Sequence, residues 1–144
     1  MKRQGTKEYL KTQVLTASRE QLLLMLYDGA IRFASQAKEK MGEGDFEGTH
    51  NLLLRAQRVV MHLSAALNPG VDTLLCQRLS AVYSFIYRHL VKANVEKNPK
   101  LIDEVIEILS SLRATWQEAI GMIRLEEDVS NSPVKEGNRV SVET

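Results

Sequence analysis

Three short breaks divide residues 18–124 into four segments in which apolar side chains recur at helical spacing, and that pattern leaves helices packed on helices as the fold. The first segment opens at Ser18, whose side chain can cap free backbone N–H groups. Gln21, three residues on, completes a capping box. Leu23, Leu26, Ala30, Phe33 or Ala34, Ala37 and Met41 then follow helical spacing until Gly42-Glu43-Gly44-Asp45, where Asp45 can cap the next segment. The second carries Leu52, Leu53, Ala56, Val59, Val60, Leu63 and Leu67, and Asn68-Pro69-Gly70 stops it. Asp72 is the natural N-cap of the third, which repeats the pattern through Leu75, Leu79, Val82, Ile86, Leu90 and Ala93. Asn98-Pro99 begins the fourth with a capping side chain and a proline at the first helical position, and Ile102, Val105, Leu109, Leu112, Trp116, Ala119 and Ile123 line it.

Each segment is roughly 22 to 27 residues, or about 33 to 40 Å of helix. Breaks this short force sequential neighbours to run antiparallel, so the expected architecture is all-α, an antiparallel up-down four-helix bundle. Helices are expected near 18–41, 46–67, 72–97 and 99–124, with Trp116 largely buried. Residues 1–17 are polar with isolated apolar positions at Tyr9, Leu10, Val14 and Leu15, and read as a flexible N-terminal arm. Residues 18–124 form the bundle. Residues 125–144 lack periodic hydrophobicity and read as a disordered C-terminal tail.

Charge and cysteine content narrow the function. Nineteen basic residues against eighteen acidic ones give a net charge of +1, which argues against a dedicated nucleic-acid binder. A single cysteine, Cys76, excludes an intrachain disulfide or a cysteine-rich zinc site. Its apolar setting, Leu74-Leu75-Cys76, reads as a buried structural thiol. The N-terminus leads into no long apolar stretch, and the longest apolar run, Leu22 to Tyr27, is far short of the roughly 20 residues that span a bilayer. A cytosolic protein without stable membrane insertion is expected.

Catalytic chemistry finds little support. A ferritin-like di-metal centre needs two Glu-x-x-His pairs and two further inward glutamates; this chain has only Glu47-Gly48-Thr49-His50, in the first turn of a helix. Histidine phosphotransfer is the better rival, because His89-Leu90-Val91-Lys92 places a lysine three residues after a histidine on the flank of the third core stripe. The small glycine expected after that lysine is Ala93, and a surface histidine beside a surface lysine is the favoured reading of the pattern. Phosphate loops, zinc-protease motifs and nucleophile elbows are absent. Neither catalysis, nor a metal, nor a cofactor is expected.

The first helix is more apolar than a bundle requires. Leu22-Leu23-Leu24-Met25-Leu26-Tyr27 covers every direction around the axis, whereas bundle packing needs one stripe. A milder surplus appears in the fourth at Leu101, Ile106 and Ile108. Such surface is covered by deep burial or by a partner: a dimer mate, the chain's own arm, or a client segment.

These residues resemble a known family. Thr16-Ala17-Ser18 followed by Glu20-Gln21-Leu22-Leu23-Leu24-Met25-Leu26-Tyr27-Asp28-Gly29-Ala30 is similar to the opening helix of the FliS flagellar export chaperones. Gly44-Asp45, Asn51, Arg55-Ala56-Gln57, Leu79, Tyr83, Arg88, Leu90, Ala93-Asn94, Leu101, Glu104-Val105, Leu109, Leu112-Arg113 and Trp116 follow in matching order, over about residues 9 to 120. The chain departs from many members before the third helix, where it has Gly70-Val71-Asp72-Thr73 and they have a glycine pair and an acidic residue.

The resemblance implies a non-enzymatic bundle that binds the C-terminal segment of unpolymerised flagellin and delivers it to the flagellar export apparatus. It further implies flagellin-binding roles for Leu24, Met25, Tyr27, Asn51, Arg55, Tyr83 and Asn94, with Tyr9 as a displaceable N-terminal cap over the client groove. An exchanged arm or an uncovered apolar face would also permit a homodimer. Glu20 and Asp28 need no functional role: Glu20 complements the helix dipole, and Asp28 is placed to pair with Arg32 four residues on.

Overall fold

The computed structural model describes residues 18–130, which form four α-helices with no strand among the described residues. They are α1 (Arg19–Gly42), α2 (Phe46–Ala65), α3 (Thr73–Glu96) and α4 (Pro99–Ser130). Their starts follow the expected caps. Gln21 N–H donates to Ser18 Oγ at 3.2 Å, while the Gln21 side chain accepts from the Ser18 backbone. Asp45 accepts from Gly48 N–H at 2.9 Å, and Asp72 from Leu75 N–H at 3.0 Å.

The breaks work by backbone geometry. Gly44 turns the chain out of α1 at φ 78°, a left-handed conformation that suits glycine. Asn68 bends the chain after α2 by accepting from Val71 N–H through its carbonyl and from Gly70 N–H through its side chain, each at 3.1 Å. Lys97 ends α3 at φ 52°, ψ 46°, a left-handed cap formed without glycine.

The described residues divide into two compact units, residues 18–113 and residues 114–130. In the first, α1 packs on α2 and α2 on α3. Ion pairs bring in the opening turns of α4: Lys38–Asp103 at 2.7 Å, Asp28–Arg113 at 2.5 Å, and His89–Glu104. As the partner on α1 moves back from Lys38 to Asp28, that on α4 advances from Asp103 to Arg113, so the two run antiparallel. The four helices of this unit form the expected up-down bundle.

The buried stripes are regular. α1 contributes Tyr27, Ala30, Ala34, Ala37 and Met41, whose small middle residues allow a near neighbour. α2 contributes Leu53, Ala56, Val60 and Leu63; α3 contributes Leu79, Tyr83, Ile86, Leu90 and Ala93; α4 contributes Leu101, Ile102, Val105 and Leu109. Burying a leucine or isoleucine of this kind stabilises by about 1.5 to 3 kcal/mol before entropy.

The described part of the second unit is the end of α4. Ile120 is buried there and Trp116 half-buried, while residues 121–130 are exposed. Helix α4 runs six residues beyond the expected end at 124. Glu126 and Glu127 are good helix formers, and no proline or glycine stands between Met122 and Asn131, so propensity carries the helix past the expected end. The remaining tail, residues 131–144, and the arm, residues 1–17, lie outside the described residues.

Three further expectations are corrected by burial. Ile123, expected on the α4 core face, is exposed because it lies beyond the last buried position, Ile120. Leu75, expected on the α3 core face, is 44% exposed, because it sits in the first turn before that face meets its neighbours. Cys76 is only half-buried.

Candidate functional site

The opening of α1 explains its unusual composition. Leu22, Leu23, Leu24, Met25 and Leu26 are all partly exposed, and full burial begins at Tyr27. Five consecutive residues turn through more than a full circle of helix. This end of α1 therefore shows apolar surface in every direction, ahead of the stripe that builds the core.

Tyr27 belongs to that core. It has no exposed surface, and its hydroxyl shares a hydrogen bond with the hydroxyl of Tyr83 on α3, which is 2% exposed. Their rings are tilted at 51° with centroids 6.4 Å apart. Two residues assigned to client contact by resemblance are thus each other's partners inside the bundle. Tyr83 nevertheless reaches a surface: it helps line an open groove of about 360 Å³ between α2 and α3, with Val60, Met61, Ser64, Ser80, Ser84 and Tyr87. A second hollow of about 680 Å³ shares Ser64, Ser80 and Ser84 and continues toward Leu67 and Cys76. The shared serines are short, which leaves the space between the helices unfilled.

The polar candidates cluster further along the bundle. Asn51 and Arg55 are exposed on α2, four residues apart and hence on one face. Asn94, half-buried on α3, donates to His50 Nδ1 at 2.7 Å and accepts from Lys97 Nζ at 2.5 Å. The Arg55 guanidinium lies 5.9 Å from the centre of the Phe33 ring on α1. Leu24 and Met25 precede Phe33 by eight or nine residues, about 12 Å along the helix. The structure therefore brings the candidates into two groups, an apolar one beginning at Leu24 and a polar one around Asn51, Arg55 and Asn94. Tyr9 lies outside the described residues.

The rival chemistries gain nothing from this geometry. The His89 side chain is 16% exposed, its Nε2 contacts Glu104, and its ring stacks on Phe85 at 4.7 Å. A phosphoryl donor would have to displace that carboxylate. Among the described residues, no three His, Cys, Asp or Glu side chains are grouped to hold a metal. Asp28 does not pair with Arg32 as expected; it takes Arg113 of α4 in a two-pronged contact, 2.5 and 3.3 Å, because a neighbouring helix supplies a closer fork.

The groove residues Met61, Ser64, Ser80, Ser84 and Tyr87 were not singled out by sequence reasoning. The signal that could have found them is Ser80 and Ser84, two small residues four apart on α3 beside the core position of Tyr83.

Comparison with known proteins places this architecture. The family model described as flagellar protein FliS matches residues 1–122. A flagellar secretion chaperone FliS of Bacillus subtilis is 31% identical over 112 residues, covering 78% of this chain and 83% of that protein. Its counterpart in Salmonella typhimurium is 29% identical over 119 residues, covering 79% and 88%. A solved structure described as a flagellar chaperone from bacteria shares the fold, with a TM-score of 0.68 at 20% identity over 84% of this chain and 98% of that one. The bundle, its apolar opening helix and the match over residues 1–122 together make this chain a member of the FliS family of flagellar secretion chaperones.

Proposed function

We propose that this protein is a cytosolic export chaperone that binds the C-terminal segment of unpolymerised flagellin, prevents its premature polymerisation and presents it to the flagellar export apparatus. Beyond family membership, the observation that carries this reading is the partly exposed apolar girdle Leu22 to Leu26, surface that the bundle does not use for its core. Leu24 and Met25 supply contact area, worth about 25 cal/mol per Å² before ordering costs. Tyr83 forms a wall of the α2–α3 groove and Tyr27 holds it in place from behind. Asn51, Arg55 and Asn94 pair with polar groups of the client as it wraps along the bundle, and Tyr9 caps the groove until the client displaces it. The client orders as it binds, which offsets part of the contact energy and keeps release achievable. Flagellin polymerisation followed by sedimentation tests this: an equimolar amount of the protein should hold flagellin in the supernatant. Unchanged filament yield would overturn the reading.

A further inference from the structure

The α1–α2 face carries an arrangement that neither the fold nor the apolar girdle explains. Phe33, half-buried on α1, has two guanidinium groups over its ring: that of Arg32 at 5.2 Å from the centroid and that of Arg55, from α2, at 5.9 Å. Both arginines are exposed, and among the described residues neither is in an ion pair. The lack of carboxylates is local and specific. At three or four residues before and after Arg32 and Arg55 on their own helices, the only acid is Asp28, which is committed to Arg113 of α4. Arg58, one turn beyond Arg55, is also exposed and adds to the excess. A chain with a net charge of only +1 thus concentrates uncompensated positive charge at one place.

A guanidinium held over an aromatic ring is restrained through its face, while its N–H donors remain in the plane and point outward. Two such groups from different helices make a preorganised receptor for a carboxylate, with the ring edge between them available to an apolar neighbour. We propose that Arg32, Phe33 and Arg55 form a clamp for an acidic residue flanked by an apolar one, carried by the flagellin segment the chaperone binds. This rests on the flagellin-binding reading and adds a charged anchor, which sets the register of a client otherwise held by non-directional apolar contact.

The test is calorimetric titration of the full-length protein with purified monomeric flagellin at low and high ionic strength, comparing wild type with the Arg32→Gln/Arg55→Gln double variant. Circular dichroism confirms that the variant keeps its helices. The clamp predicts roughly tenfold weaker binding by the variant at low salt, with the gap closing at high salt as screening removes the wild-type advantage. Arg32→Lys/Arg55→Lys should recover only part of the loss, because lysine restores charge without the planar fork. Equal binding by wild type and the Gln variant at both salt concentrations overturns the clamp and leaves the chaperone reading standing. A loss independent of salt also overturns it, in favour of packing. No binding by the wild type removes both.

Discussion

The hydroxyl groups of Tyr27 on α1 and Tyr83 on α3 share a hydrogen bond in the interior of the bundle, joining two helices that are not neighbours in sequence. The pair links these helices at the depth where Tyr83 lines the α2–α3 groove. Replacing either tyrosine by phenylalanine should cost about 1 kcal/mol of stability, the usual net value of an internal hydrogen bond. The double variant should cost distinctly less than the two single ones added, since one shared contact is lost in each. Urea denaturation of the four proteins measures this, and strict additivity would show that the hydroxyls do not interact.

The fork between Asp28 and Arg113 is partly exposed, with 48% and 29% of the two side chains accessible. Asp28→Asn should therefore destabilise by no more than about 1 kcal/mol, and the difference should shrink in high salt. Thermal melts at two ionic strengths test it; a larger, salt-independent loss would mean that the pair acts as a buried one.

Lys97 occupies a left-handed C-cap that glycine adopts without steric cost. Its ammonium contacts, to half-buried Asn94 Oδ1 at 2.5 Å and to the exposed Phe46 ring at 5.8 Å, are each worth about 1 kcal/mol or less. Lys97→Gly should stabilise the protein by up to about 1 kcal/mol, because relief at the cap exceeds what these contacts supply. A lower melting temperature would assign Lys97 a structural role through its side chain.

Core and surface should respond differently along α2. Leu63→Ala removes a side chain 1% exposed and should cost about 2 to 5 kcal/mol, whereas Met61→Ser, at a residue 57% exposed, should change stability by less than about 0.5 kcal/mol. If Met61→Ser weakens flagellin binding while leaving stability unchanged, the α2–α3 groove is a client surface.

Much of this architecture is legible in the residues themselves. Ser18, Asp45 and Asp72 cap the helices they were expected to cap, because a short polar side chain before an apolar periodic run has one economical use. Core stripes are equally readable where they continue over several turns, as from Leu79 to Ala93. Side chains whose partners come from elsewhere in the chain carry no such local signal. Asp28 had a suitable arginine four residues away and took one 85 residues away instead. Tyr27 ends an apolar run and reads like its neighbours, yet it alone of that run is fully buried, a distinction made by the position of Tyr83. Helix ends are the other weak point, since the end of α4 has no stop signal and no core contact to mark it.

The proposed role is to hold flagellin by its C-terminal segment. Calorimetric titration with monomeric flagellin, intact and lacking that segment, tests it most directly. Saturable binding of the intact monomer and none of the truncated one is expected; equal binding of both forms, or of neither, would overturn the proposed role.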